Sequence, residues 1–326
     1  MKPIRLHIIL LILTLSFWAQ GQQDIFLSQQ HFSRININPS ATEVSNYANA
    51  FLIARQQWIG FEGAPSTQMF NAHGYIEDIR SSVGLSVVSD IIGRNRALNL
   101  MFAYAYHVKT AENRHLSFGL SAGVMNRRLD GSMLTNEPEH CPEIIEMLIN
   151  GKSVYRPDVN FGITYSTPKF AFGVSATHLT RYLYPKDDWF RLPLHVYGFM
   201  EFGLDFGENV RFTPRVQFMS AVSSVDTVSI MNRADMLLDL GGTFSVRNRF
   251  WLGASFRTGQ EFDGSSISAM VGLNLSPNLR VGYSYDYKLG KTFQNVRTIG
   301  SHEIMLNYRI RVTEVQTSEQ TPRFFE

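Results

Sequence analysis

Strict alternation of apolar and polar residues over short segments is the feature that most constrains how this chain can fold. Between Leu279 and Lys288, the odd-numbered residues are leucine, valine and tyrosines, whereas the even-numbered residues are arginine, glycine, serine, aspartate and lysine. Side chains of a β-strand point to opposite faces with a period of two, so this segment has one apolar and one polar face. The sequence therefore predicts an all-β protein, because the same pattern recurs at 116–124, 158–165, 170–175 and 267–275.

The alternating segments predict about fourteen strands, most of them long enough to cross a bilayer at a tilt. The predicted ranges are 48–58, 66–75, 82–89, 97–108, 114–127, 158–166, 169–178, 192–205, 209–220, 234–245, 248–258, 266–276, 278–288 and 300–311.

The first 21 residues have the composition of a cleavable signal peptide. Lys2 and Arg5 form a basic region, Leu6–Trp18 is apolar, and residues 19–21 place small side chains before a cleavage site. An apolar run of this length is too short to cross a bilayer as a helix. We therefore expect an exported chain that begins at Gln22.

Composition narrows the class of exported protein. Removing the two basic residues of the signal region leaves 28 basic and 28 acidic residues, which argues against a nucleic-acid partner. Cys141 is the single cysteine, so no intramolecular disulfide exists. No later segment has 18 consecutive apolar residues, and no transmembrane helix is predicted. A closed barrel is then one of the few structures through which such a chain can enter a membrane.

Loop lengths support the same interpretation. Every second predicted connection is short, as at 76–81, 109–113 and around Gly207, whereas the intervening loops have roughly seven to thirty residues. Outer-membrane barrels have short periplasmic turns and longer extracellular loops. We therefore predict a transmembrane antiparallel β-barrel in the cell outer membrane. A soluble β-sandwich or propeller is the alternative, because a sandwich also alternates apolar and polar residues.

The barrel is expected to span residues 48–311, followed by a polar C-terminal tail at 312–326. Residues 22–47 precede it, either as a periplasmic lead-in or as a plug folded into the lumen. The inward face is rich in Gly, Ser, Asn, Thr and Arg, which predicts a narrow or plugged lumen. Trp251 is expected to point into this lumen. An arginine replacing Gly282 is expected to crowd the lumen but to be better tolerated electrostatically than one replacing the lipid-facing Leu273 or Val281.

No catalytic, cofactor-binding or metal site is predicted, and we do not expect an enzyme. Glu137, Glu139, His140, Cys141 and Glu143 cluster in the longest loop, but a solvated acidic loop explains them better than a metal site. Within that loop, 142–151 begins with proline and ends with glycine, which predicts a short extracellular helix. This helix would cap the lumen or offer an apolar surface to a partner.

Several segments resemble the PorP/SprF family of the Bacteroidetes type IX secretion and gliding machinery. The most specific is Arg55–Pro65, followed by Thr67 and Gln68, and the resemblance extends to Gly84–Val88, Leu116–Val124, Val281–Asp286 and Gly300–Ile304. Gln29 and Asn38-Pro39 also fit, although Ser40 follows where the family more often has alanine. The residues that the resemblance singles out as motif or partner-contact candidates are Arg55, Gln57, Trp58, Gly60, Phe61, Gly63, Pro65, Asp286, His302 and Glu303.

The resemblance implies a non-enzymatic outer-membrane component of type IX secretion and gliding motility. Such a protein would support the export or surface attachment of specific cargo proteins, such as large adhesins. Its expected partners are other machinery proteins, the C-terminal domains of cargo, and outer-membrane lipid. A transport channel for a small or apolar solute is the alternative function, and conductance or solute uptake would distinguish the two.

Overall fold

The computed structural model describes residues 25–42, 44–45, 47–60, 62–129, 153–184, 192–222, 234–258, 265–289 and 300–312. The predicted signal peptide, Phe61, the acidic cluster with Cys141, the predicted helix at 142–151 and the tail beyond Val312 lie outside these residues.

The described chain forms a single closed sheet of fourteen antiparallel strands, as the alternating pattern predicts. Strand β8 is interrupted at Gly203 and continues as a short second piece. The strands are β1 Tyr47–Gln56, β2 Ser66–Ile76, β3 Ser81–Ile92, β4 Asn95–Ala111, β5 Arg114–Leu129, β6 Ser153–Thr167, β7 Phe170–Thr177, β8 Leu194–Phe202 with Leu204–Phe206, β9 Val210–Val222, β10 Ala234–Val246, β11 Phe250–Thr258, β12 Ser266–Asn274, β13 Leu279–Lys288 and β14 Ser301–Arg311.

Each strand pairs with its neighbours in sequence, and β14 pairs with β1 to close the barrel. At this seam Leu52 lies opposite Leu306 and Arg55 lies opposite Glu303. Three short 3₁₀ turns complete the described secondary structure, at Gln30–Phe32, Glu77–Ile79 and Leu179–Leu183. None of the helices in the described ranges has the length and hydropathy needed to cross a membrane.

The two faces of the barrel divide as the sequence pattern predicts. Outward side chains are large and apolar, and Phe102, Leu120 and Leu306 are 62%, 51% and 41% exposed. Inward side chains are mostly small or polar and are buried. Trp251 is only 3% exposed, which confirms that it points into the lumen. The outer face therefore offers an apolar belt to lipid, while the inner face must find polar partners within the barrel.

One predicted loop length is wrong. The connection between β3 and β4 was expected among the longer loops, but only Gly93 and Arg94 separate the strands, because Ile92 pairs with Asn95. Gly93 has a φ of 57°, a conformation that suits a two-residue hairpin turn. The prediction ended β3 too early and began β4 too late, because the alternation of apolar and polar residues weakens near the turn while the backbone pairing continues. Strand β6 likewise begins at Ser153, five residues before its predicted start.

Candidate functional site: a plugged lumen

Residues 25–42 run through the inside of the barrel, and we call this segment the plug. Its first part, residues 25–32, contacts β1 and β11–β14 near the end of the barrel that carries the longer loops, and we call it the upper plug. The remainder, residues 33–42, contacts β2–β8 towards the end with short turns, and we call it the lower plug. Leu27, Gln29 and Ser40 are at most 2% exposed, so the plug is packed inside the barrel rather than laid over its mouth.

A buried ionic cluster holds the upper plug, and we call its wall residues Arg55, Asp286 and Glu303 the latch. The guanidinium of Arg55 lies 2.6 Å from Asp286 Oδ2 and 3.1 Å from Glu303 Oε2. All three side chains are at most 2% exposed. A buried charge is tolerated only when it is paired and hydrogen-bonded, which the latch achieves across three strands.

The latch carboxylates bind the plug directly. Glu303 accepts the backbone amides of Ser28, at 3.0 Å, and Gln29, at 2.8 Å. The Ser28 hydroxyl lies 2.8 Å from both carboxylate oxygens of Asp286, to which it donates. Arg55 donates to the same hydroxyl at 3.2 Å. The polar groups of one turn of the plug are thus matched by charged groups of the wall, and such hydrogen bonds are stronger than neutral ones.

A second arginine extends the cluster. Arg257 on β11 donates to the Ser28 hydroxyl at 3.1 Å and pairs with Asp239 on β10 at 3.3 Å. Its guanidinium also lies 4.2 Å from the ring centre of Phe26, a distance that suits a cation–π contact. Below this cluster, Leu27 and Phe32 pack against apolar wall residues, namely Phe51, Ile53, Met69, Trp251, Met270 and Met305.

At the start of the lower plug, an ion pair joins the plug to the opposite wall. Arg34 forms two parallel hydrogen bonds with the carboxylate of Glu201, at 3.0 and 2.7 Å. The same guanidinium lies 4.2 Å from the ring centre of Phe199. The two-point geometry fixes the orientation of both side chains. This pair marks the place where the plug crosses from the β1 side of the lumen to the β8 side.

Neutral contacts and close packing hold the rest of the lower plug. Asn38 Oδ1 accepts the amide and the hydroxyl of Ser40, at 3.0 and 2.6 Å, which closes a local turn around Pro39. The Ser40 hydroxyl lies 2.7 Å from Thr164 Oγ1 on β6. The backbone carbonyl of Ile37 accepts a hydrogen bond from the Ser175 hydroxyl at 2.7 Å. These bonds match polar groups of the turn with polar groups of the turn itself and of the wall.

Inward glycines make the space that this turn occupies. Gly119 and Gly162 lie opposite each other on β5 and β6. A Cβ at Gly119 would lie 2.2 Å from the backbone nitrogen of Ser40, and one at Gly162 would lie 2.0 Å from Asn38 Oδ1. Both distances are well inside van der Waals contact, so these positions need glycine for close approach of the plug rather than for a turn.

The sequence indicated only that the inward face is rich in small and polar residues, whereas the structure shows that its glycines together trace the plug. The available signal was that glycines occupy lumen-facing positions on several neighbouring strands. At Gly84 a Cβ would lie 2.2 Å from Ile35 Cδ1, and at Gly282 it would lie 2.3 Å from Gln29 Oε1. The crowding expected for an arginine at Gly282 agrees with the structure, because Gln29 and Trp251 already fill the space in front of it.

The structure brings three of the sequence-predicted candidates together and spreads the others. Arg55, Asp286 and Glu303 come from opposite ends of the sequence and meet as the latch, where they contact the plug. His302 precedes Glu303 in sequence but lies on the opposite, outward face of β14. Its Nδ1 is 2.6 Å from the Tyr283 hydroxyl, and its ring meets Tyr285 edge-on at 5.2 Å.

The remaining described candidates build the turn between β1 and β2. Trp58, Gly60 and Gly63 have φ values of 45°, 96° and 75°, so three residues of one turn adopt left-handed backbone. The Gln57 amide donates to the Pro65 carbonyl at 2.9 Å. The Gly63 carbonyl in turn accepts the amide of Gly93 in the β3–β4 turn at 2.9 Å. These residues therefore shape and anchor the rim directly above the latch.

No group of three or more potential metal-ligating side chains comes together in the part of the chain that the structure describes. The acidic cluster at 137–143 lies outside that part.

The chain was compared with known protein families by sequence and with solved structures by fold. The model of a family described as "Type IX secretion system membrane protein PorP/SprF" matches residues 19–308. No curated protein matches the sequence. Among solved structures, the chain is similar to the Ralstonia pickettii toluene transporter TbuX, with a TM-score of 0.49 and 11% identity over 92% of this chain and 99% of that chain.

Two further solved structures show comparable similarity. A mutant of the monoaromatic hydrocarbon channel TodX has a TM-score of 0.48 and 10% identity, covering 88% of this chain and 95% of that chain. The outer-membrane protein Omp33 of Acinetobacter baumannii has a TM-score of 0.45 and 9% identity, covering 81% and 97%. At such low identity, these similarities extend to the barrel fold alone.

Proposed function

The chain belongs to the PorP/SprF family of type IX secretion membrane proteins, and we propose that it is a non-enzymatic outer-membrane component that supports the export or surface attachment of specific cargo proteins. The family match covers all of the plug and nearly all of the barrel. Large surface adhesins are the cargo class that we expect. Other machinery proteins and the C-terminal domains of cargo are the expected partners.

The observation that carries this proposal, beyond family membership, is the occupied lumen. A channel for solutes needs a continuous path, whereas here the plug is attached on both sides of the lumen. Backbone amides of the upper plug bind Glu303 on β14, Arg34 pairs with Glu201 on β8, and the lower plug packs closely against inward glycines. A protein that recognises or retains a cargo chain needs rigid recognition surfaces rather than an open pore. The fixed rim turns and the plugged lumen supply such a scaffold.

Deletion of the gene tests the proposal most simply. We expect one or a few large proteins to disappear from the cell surface, while general export by the secretion machinery continues. The measurement is quantitative mass spectrometry of the surface and of the medium, compared with a strain that expresses the wild-type gene from a second locus. The same strains should take up small solutes at equal rates.

A matched pair of variants separates assembly from function. Val271→Arg places a charge on the lipid-facing side of β12 and should reduce the amount of barrel, and cargo should fall in proportion. Deletion of residues 138–151 should leave the barrel intact, and any loss of cargo would then assign recognition to the loop. An unaltered surface proteome after full gene deletion, together with lost uptake of one solute, would overturn the proposal in favour of a transport channel.

A further inference from the structure

We propose that the latch, together with Arg257, is a binding site for a segment of another polypeptide, and that the upper plug occupies this site as an internal ligand. The site then holds cargo when the upper plug gives way to a cargo segment of matching chemistry. This inference rests on the proposed function, because it identifies the part of the barrel that would hold the cargo chain.

The contacts at Glu303 recognise a peptide backbone. Its two carboxylate oxygens accept two consecutive backbone amides, from Ser28 at 3.0 Å and from Gln29 at 2.8 Å. Every residue except proline carries such an amide, so this contact does not depend on the identity of the side chains. A carboxylate that receives two adjacent amides fixes the direction and local shape of whatever chain it binds.

The surrounding groups add side-chain preferences. The Ser28 hydroxyl donates to Asp286 and accepts from Arg55 and Arg257, which a hydroxyl can do and an apolar side chain cannot. The preceding residue, Leu27, enters an apolar cluster. Phe26 lies over the guanidinium of Arg257. The site therefore fits an aromatic residue, an apolar residue, serine or threonine, and then any residue except proline.

The internal ligand fits this site imperfectly. Among the described residues, neither polar atom of the Gln30 side-chain amide has a hydrogen-bond partner, and Gln29 Oε1 also lacks one. Gln29 and Gln30 are at most 1% exposed. Burying an unmatched amide disfavours binding, so a peptide with an apolar side chain at the position of Gln30 should bind more tightly. Because the upper plug does not bind this site as tightly as it could, a segment of another chain with better-matched side chains can replace it.

The position of the site suits a ligand from outside. Arg55, Asp286 and Glu303 each lie within three residues of the strand ends that carry the longer loops. By the general arrangement of outer-membrane barrels this end is extracellular. The described part of the plug begins at Ile25 and Phe26, which are both half-buried.

Binding of a synthetic peptide to the purified full-length barrel tests the proposal. The probe is a fluorescently labelled peptide with the sequence of Ile25–Arg34. A protein variant with Ser28→Ala weakens the internal ligand and should bind the probe about tenfold more tightly than wild type. Ser40→Ala, in the lower plug, is the matched control and should leave probe binding unchanged.

Changes in the probe give the complementary measurement. A probe that itself carries Ser28→Ala should bind about tenfold more weakly, and a probe with Gln30→Leu should bind more tightly. The proposal is overturned if no probe binds any protein variant, or if the two serine variants of the protein behave alike.

A reversible disulfide crosslink tests whether the upper plug must move for cells to retain cargo. In a chain with Cys141→Ser, cysteines replace Ser28 and Ser268, whose hydroxyl oxygens are 3.3 Å apart. The control pair replaces Ser40 and Thr164, whose oxygens are 2.7 Å apart. We expect oxidation of the upper pair to abolish cargo retention and reduction to restore it, with no effect of the lower pair.

Retention that survives the upper crosslink would overturn the proposal while leaving the deletion phenotype, and hence the proposed function, intact. Absence of any deletion phenotype would instead overturn the proposed function. If a disulfide does not form, the peptide measurements decide the matter alone.

Discussion

The upper and lower plug lie in the same lumen but are held by different kinds of contact. The upper plug meets charged wall residues that bind its backbone and one hydroxyl, above an apolar cluster. Beyond the Arg34–Glu201 pair, the lower plug meets glycines whose missing side chains leave room for a compact turn, closed by neutral hydrogen bonds. The charged wall groups can form the same hydrogen bonds with another ligand of the same chemistry. The space left by the glycines, in contrast, accepts only the shape of the turn that fills it. The difference suggests an exchangeable end and a fixed end.

The largest expected effect is at the latch. Arg55→Met leaves Asp286 and Glu303 buried with one cation fewer, and breaking a buried ion pair typically costs about 3–5 kcal/mol. We expect a loss of this size in the free energy of unfolding, measured by urea titration of the refolded barrel in lipid vesicles. Arg55→Lys keeps the charge and should lose less. Equal losses for both variants would show that the charge of Arg55 does not hold the upper plug.

The lower plug should respond to added volume instead. Gly119→Leu forces a side chain into the backbone of Pro39 and Ser40, and overpacking of this kind costs about 1–3 kcal/mol or more. We expect reduced stability, together with greater access of proteases to the plug. Ala122→Leu, on the outward face of the same strand, is the control and should be nearly neutral. A stable Gly119→Leu variant with a protected plug would contradict the position of the turn.

The smallest expected effect is the difference in stability lost when the hydroxyl of Ser28 or that of Ser40 is removed. Ser28→Ala removes a hydrogen bond to a carboxylate, which typically costs about 1.5–3 kcal/mol, whereas Ser40→Ala removes bonds to neutral groups that are worth about 0.5–1.5 kcal/mol. The same unfolding titration should therefore rank Ser28→Ala as the more destabilising of the two. The reverse order would remove the distinction between an ionic end and a neutral end.

Sequence reasoning could predict the barrel because its cause is local. Lipid on one side and a polar lumen on the other impose a period of two on every strand, and that pattern is visible in each segment alone. The β3–β4 turn escaped prediction because the alternation weakens near Gly93, although backbone pairing continues. Strand ends depend on pairing with a neighbour, which a single segment does not reveal.

The site was predictable only in part, for a different physical reason. The resemblance singled out Arg55, Asp286 and Glu303, but it did not indicate that these residues contact one another and the plug. Asp286 and Glu303 each lie more than 250 positions from Ser28 in the sequence, although Arg55 lies much closer to it. The glycines at 119 and 162 are informative only once strand register aligns them. Contacts of this kind follow from barrel closure, so they emerge only with the complete fold.

The central claim is that the chain's own residues 25–42 fill the lumen, and conductance measures this most directly. Purified wild-type protein is inserted into a planar lipid bilayer, and insertion is verified independently by labelling. We predict no steady conductance from wild type, and intermittent openings from a variant that carries both Arg55→Met and Glu201→Gln. The first change removes a hydrogen bond from the wall to Ser28 and disturbs the latch, and the second breaks the ion pair with Arg34. A steady, ion-conducting open state of the wild-type barrel would contradict the account.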